Sequence, residues 1–297
     1  MTLDKSYRFL YTEFNGGDRP MADWRSVKKI DAHIHIIPDE VLRANPDSED
    51  VWSYADLEKY RHIMAKYNIE KAVIMPLNDP WLLSMDFTVS AVHQNLAEMK
   101  QKIPNALYAF TDIDVRNSAP KSIEEIQRAI KEYHLDGIKI HPNNGNMELD
   151  SAYYAEIFRF AQMCHIPVAI HSYPNTVNDF CSAKRIVAVL KKYPELTVIV
   201  SHMGAFQWEE LVGTSAFVDI SAILPAYADR YGIKETNSLL RKFGVDRLIF
   251  ATDYPDSRTL EPEAIYETYF DILNQMDFTD EEIEKIACKN IQTLLDR

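Results

Sequence analysis

Histidines and an aspartate recur at the ends of short apolar runs. Lys29-Ile-Asp-Ala-His-Ile-His35 closes on His33 and His35, and Pro167-Val-Ala-Ile-His171 on His171. Leu196-Thr-Val-Ile-Val-Ser-His202 closes on His202, and Arg247-Leu-Ile-Phe-Ala-Thr-Asp253 on Asp253. Brought together, imidazoles and a carboxylate suit zinc or a similar divalent ion, with a position open for water. An isolated His-x-His is weak evidence for a metal. Each remaining histidine, taken singly, reads equally well as a hydrogen-bonded core residue, and Asp253 before Tyr254-Pro255 as the start of a turn. The joint placement decides. Polar, titratable groups that repeatedly end apolar strands are costly to bury without partners, and one shared ion accounts for them together.

Such residues need elements that carry them to one place. Further strand-like runs are Ala72–Leu77, Ala106–Asp112, Asp136–His141 and Phe217–Ser221, giving eight in all. Near-continuous apolar runs suit strands covered on both faces. Residues i and i+2 of a strand share a face, so His33 and His35 can meet one ion. Helical spacing joins the runs. Ser53–Tyr67 and Lys121–Tyr133 each show an apolar stripe, and Ser122 with Glu125 predicts a capping box. Further helices are expected over Met85–Lys102, Ser151–Cys164, Asp179–Tyr193, Ile233–Phe243, Pro262–Met276 and Thr279–Leu295. Eight strand–helix units fit a closed barrel or a doubly wound sheet, and the pattern alone leaves both open. Residues 1–28 precede the first unit and read as an extension packed against, or closing, one barrel end. Residues 29–297 read as a single domain.

Five segments carry a resemblance: Asp31-Ala-His-Ile-His35, Gly137-Ile-Lys-Ile-His-Pro142, Ile170-His171, Val200-Ser-His-Met-Gly204 and Phe250-Ala-Thr-Asp-Tyr-Pro255. They resemble the signatures of the amidohydrolase-2 branch of the amidohydrolase superfamily, which includes hydrolases and related decarboxylases. The ending Ile286–Leu295 is similar to the terminal helix common there. The resemblance implies a (β/α)8 TIM barrel rather than an open sheet. It also implies one metal ion held by His33, His35, His171 and Asp253, with Asp253 doubling as general base. His202 is then expected beside the metal-bound water or the reacting group, where a protonated ring stabilises an oxyanion.

Lys139 and His141 share strand parity, and either can reach the same site. Many two-metal relatives in the wider superfamily carry a carbamylated lysine on the fourth strand, and a second ion would recruit His202. The favoured role for Lys139 is a point charge that binds a substrate carboxylate or carbonyl; an ion pair inside the barrel is the competing one. His141 and Tyr173, which follows the His171 strand tip, are the other candidate substrate-binding residues. Pro80-Trp81, Asp256-Ser257-Arg258 and the polar stretch Asn45–Asp50 lie in loops after strands, and the last reads as a lid or an ordinary loop. His62, His93, His134 and His165 receive no role.

A net charge of −13 argues against nucleic acid or an anionic membrane as partner. No signal peptide or membrane span is expected, and Cys164, Cys181 and Cys288 read as free core thiols in a reducing, cytoplasmic compartment. A homodimer is the expected assembly. Zinc is favoured by the nitrogen-rich donor set, while manganese, iron or cobalt fits the same cage. The leading activity is cleavage of an amide, lactone or ester bond of a small molecule by metal-activated water. Non-oxidative decarboxylation of an aromatic or unsaturated acid uses the same ligands. A catalytically inactive barrel that only binds is the third reading, opposed by the intact set of metal-facing groups.

Overall fold

The computed structural model describes residues 22–38, 55–77, 88–255 and 263–296. Eight short strands are laid down in sequence order, each parallel to the next: β1 Lys29–Ile34, β2 Ile69–Ile74, β3 Leu107–Thr111, β4 Gly137–Ile140, β5 Val168–His171, β6 Val198–Ser201, β7 Phe217–Asp219 and β8 Leu248–Ile249. Hydrogen bonds from Ala32 N to Phe250 O, Asp253 N to His33 O and His35 N to Tyr254 O bring β8 back to β1. The result is the (β/α)8 barrel.

The outer ring comprises α1 Leu57–Lys66, α2 Val89–Lys102, α3 Ala119–Glu132, α4 Ala152–Met163, α5 Ala183–Lys192, α6 Leu224–Tyr231, α7 Ile233–Phe243 and α8 Ala264–Leu273. A final helical run, Asp280–Leu295, passes through a π-turn at Lys285–Lys289. Alternation along the strands produces two apolar layers. Ile30, Ala32, Val73, Met75, Phe110, Ala169, Ile199 and Ile249 fill the barrel interior, and the opposite faces pack against the helices. Gly137 is needed where it stands: a Cβ there would sit 2.6 Å from the Phe110 ring.

Three local expectations are corrected. The third helix begins at Ala119, capped by Ser118, so Ser122 lies inside it and its hydroxyl meets Tyr153 OH instead of forming a cap. The segment after β6 turns through an irregular stretch, His202–Leu211, with no clear apolar period, and a short helix, α6, that is not among the expected ones follows β7. Cys164 is exposed rather than part of the core, while Cys181 is buried. Residues 22–28 pack beside α8, where Trp24 stacks on Phe250 and its amide bonds Asn274. Asn45–Asp50, Pro80-Trp81 and Asp256–Arg258 lie outside the described residues. Among the described residues no helix is long and apolar enough to cross a membrane.

Candidate metal centre

The polar groups gather at the C-terminal tips of the strands, the face where barrel enzymes place their chemistry. On β1 the alternation does not run straight through. Asp31 faces the helices, accepting hydrogen bonds from Thr252 N, Thr252 Oγ1 and Tyr266 OH. A register shift between Asp31 and Ile34 inserts an extra residue, as a bulge does, and turns His33 inward. Asp31 also takes the amide of His33, so it ties β1 to the segment after β8, next to His33 and Asp253. Burial pushes its carboxyl up to about 6 against those hydrogen bonds.

His33 and His35 converge on one oxygen. Asp253 Oδ1 lies 3.2 Å from His33 Nε2 and 3.1 Å from His35 Nε2. Ligand atoms on one zinc ion sit about 3.0–3.5 Å apart, given bonds near 2 Å and a tetrahedral arrangement. The opposite nitrogens are engaged elsewhere. His35 Nδ1 lies 2.7 Å from the Met75 carbonyl, which can only accept, and His33 Nδ1 lies 3.2 Å from Asp219 Oδ2. A proton on Nδ1 satisfies each of these acceptors and would leave each Nε2 as the lone-pair nitrogen a metal requires.

His202 reaches the site by a different device. It follows Ser201, whose side chain faces inward, so simple alternation would aim it at the helices. Instead His202 adopts φ 61°, in the left-handed region, and the next residues continue there. Its ring stacks 5.2 Å from His33, its Nδ1 lies 3.0 Å from the Ser221 carbonyl, and its Nε2 lies 3.1 Å from His171 Nδ1. Asp253 is likewise left-handed, at φ 68°. Each such residue costs roughly 1–3 kcal/mol, retained where surrounding structure enforces it.

Potential ligand atoms of His33, His202 and Asp253 all lie within 4.8 Å of one another. His35 joins that group through Asp253, and His171 through His202. His141 stacks on His171 with ring centroids 3.7 Å apart, and its Nδ1 accepts from the Asn144 amide. Tyr173 meets the His202 ring edge-on at 6.0 Å. Lys139 is fully enclosed, with Nζ 3.1 Å from His33 Nε2 and 3.5 Å from Ser201 Oγ. All the candidate site residues are thus brought together.

The electrostatics follow from enclosure. Burial, reinforced by the nearby Lys139 charge, pushes His33 down to about 3. Burial draws the Lys139 ammonium down to about 8, with Asp219 and Asp253 opposing the fall. His141 and His171 are also held well below the ordinary imidazole range, first by burial and then by neighbouring cationic groups. For Asp253, burial alone would raise the carboxyl; the surrounding imidazoles outweigh it and keep the group ionised. Buried imidazoles that resist protonation at His33, His141 and His171, set around an ionised Asp253, suit a divalent ion, which binds only deprotonated ligands.

Asp219 and Ser221 were not singled out from sequence, yet they stand under both His33 and His202. The signal was present: Asp219 and Ser221 are polar groups two apart on an apolar strand, the same parity clue that marked His33 and His35. Among the residues given no role, His93 is buried behind β3, where its Nε2 takes the Asp112 amide, away from the cluster.

An eight-stranded parallel barrel with imidazoles and a carboxylate at its strand tips defines the class of metal-dependent barrel enzymes. A family model described as amidohydrolase, of the amidohydrolase-2 branch, matches residues 30–297, and the chain belongs to that family. No curated protein matches the sequence. Among solved structures, 2,6-dihydroxybenzoate decarboxylase in complex with 2,6-dihydroxybenzoate is 16% identical with a TM-score of 0.67, covering 90% of this chain and 98% of its own. The 5-carboxyvanillate decarboxylase of Novosphingobium aromaticivorans, solved with manganese and a nitrobenzoic acid, is 16% identical with a TM-score of 0.70, covering 93% and 98%. A probable 2-pyrone-4,6-dicarboxylic acid hydrolase from Acinetobacter baumannii is 15% identical with a TM-score of 0.63, covering 91% and 100%. At such identities these likenesses establish the fold.

Proposed function

We propose that residues 29–297 act as one catalytic domain that uses a single divalent ion, zinc by preference, to hydrolyse an amide, lactone or ester bond of a small molecule. His33, His35, His171 and Asp253 would hold the ion, with manganese, iron or cobalt as alternatives. The observation that carries this reading is the meeting of His33 Nε2 and His35 Nε2 on Asp253 Oδ1. When bound, the ion lowers the pKa of water and polarises a carbonyl.

The chain's own groups supply the proton movements. Asp253 takes the proton from the attacking water and passes it to the departing amine or alcohol, so the overall reaction consumes one water and leaves Asp253 ionised. His202, with its Nδ1 proton committed to Ser221, donates from Nε2 only as an imidazolium, the form that would steady an oxyanion. Lys139, His141 and Tyr173 are assigned to the substrate. Three cysteines without disulfides support a reducing, cytoplasmic setting.

Decarboxylation is the second reading, favoured by the enclosed Lys139 amine, which suits a carboxylate-bearing substrate. The two reactions leave opposite proton records: hydrolysis of an ester or lactone releases an acid, whereas decarboxylation consumes a proton and releases carbon dioxide. Zinc- and manganese-loaded protein should be offered lactones, esters, amides and aromatic carboxylic acids, with acid release from the lactones and esters, amine release from the amides, and carbon dioxide followed in parallel. Acid or amine release that disappears in Asp253→Asn supports hydrolysis. Carbon dioxide evolution replaces it with the second reading, and silence in all three channels across the panel sinks the pair.

A further inference from the structure

Strand β7 supplies no expected ligand, yet the only two polar side chains at its tip sit beneath the cluster. Asp219 is fully enclosed. A buried carboxylate persists only when its oxygens are satisfied, and here Asp219 accepts from His33 Nδ1 at 3.2 Å, His202 N at 2.9 Å, Ser221 N at 3.2 Å and the Ser221 hydroxyl. The hydroxyl has one proton, and it goes to Asp219. Its lone pairs therefore face the ring nitrogens it touches, His33 Nδ1 at 3.2 Å and His202 Nδ1 at 2.9 Å. Every hydrogen bond in the chain then runs in one direction, from the imidazoles toward the carboxylate.

We propose that Asp219 is a positioning residue for the metal centre: its carboxylate keeps the His33 ring proton on Nδ1 and the ligand-bearing Nε2 bare, and through Ser221 it fixes the orientation of the His202 ring. This inference rests on the metal-centre reading above. Its chemistry separates it from a purely structural role. Asparagine at 219 keeps an oxygen for the His202 and Ser221 amides, so the fastening of β7 survives. Its amide nitrogen, however, meets His33 Nδ1–H donor to donor. The ring escapes by moving its proton to Nε2, which removes the lone pair the metal needs.

The test uses the full chain, stripped of metal and titrated with zinc against a chromogenic chelator. Asp219→Asn should bind zinc roughly ten- to a hundredfold more weakly than wild type, the range expected for loss of a histidine-orienting carboxylate. Ser221→Ala, whose backbone carbonyl still receives His202 Nδ1, should lose less. Nitrogen-15 histidine spectra of the metal-free protein, assigned with His33→Gln, should show His33 protonated on Nδ1 in wild type and on Nε2 in Asp219→Asn. Wild-type zinc affinity in Asp219→Asn overturns the inference. So does an Nε2-protonated His33 in the wild type, a measurement that stands even if the variant fails to fold. Absence of zinc or manganese binding by the wild type itself sinks the underlying metal reading, a distinguishable result.

Discussion

Lys139 Nζ stands 3.1 Å from His33 Nε2, the same nitrogen that faces Asp253 Oδ1. A cationic amine and a divalent ion cannot share that lone pair, so metal binding and the Lys139 contact exclude each other.

Replacing Lys139 with methionine should therefore leave zinc affinity unchanged or tighter while lowering turnover at least about tenfold, the usual sign of a lost polar contact to the reacting substrate. Chelator competition and steady-state rates measure the two effects. A fall from two ions per chain to one, by inductively coupled plasma mass spectrometry, would instead make Lys139 a ligand.

Alanine at His171 or Asp253 should reduce bound metal at least about tenfold, because each removes a donor from a four-ligand set. Far-ultraviolet circular dichroism should still report a folded barrel, whose interior packing these tips do not supply. His202→Ala should retain about one ion and lose turnover. Retention of full metal by both His171→Ala and Asp253→Ala would disprove the assigned ligand set.

Away from the site, Gly137→Ala is expected to destabilise the barrel. The added methyl falls 2.6 Å from Phe110 atoms in a filled interior, and overpacking of this kind costs about 1–3 kcal/mol. Urea denaturation should show a lower midpoint with an unchanged slope.

Lys29 provides a pH signature of the fold. Its Nζ is enclosed between the Val27 and Tyr67 carbonyls and the Phe270 ring, and burial lowers it to about 8. Between pH 8 and the ordinary lysine value of 10.5 the unfolded chain binds the extra proton, so this residue makes stability rise with pH across that window. The stability of wild type minus that of Lys29→Met should grow by up to about 3 kcal/mol over the same range. A flat difference in denaturation experiments from pH 8 to 10.5 would contradict it.

The eight strands are legible as apolar runs, and His33, His35, His171 and Asp253 stand out at the ends of those runs; closure into a barrel rather than an open sheet is legible only through the family resemblance, because periodicity does not encode which strands meet. His202 was found at the right strand end, but alternation would have turned it outward; only a left-handed backbone, which no local pattern announces, brings it in. The inward turn of His33 after an outward Asp31 depends on a bulge that exists only in the pairing with β2. Asp219, at the end of β7, shares its parity with Ser221 rather than with a histidine, and its partners His33 and His202 are 186 and 17 residues away, so its role is visible only in the folded chain. The irregular stretch after β6 lacks an apolar stripe, so tertiary packing rather than periodicity defines it, while the eight residues of α6 are too few to stand out as a helix in the sequence.

The left-handed backbone at Asp253 also constrains how this site could change over generations. Asparagine and aspartate are the side chains that tolerate such a conformation best after glycine. A drift from aspartate to asparagine at 253 therefore asks nothing new of the backbone, whereas glutamate, chemically the nearer neighbour, must pay for both a longer reach and an ill-suited φ. Position 253 is thus open to losing its charge in a single step while remaining closed to exchanging one acid for another.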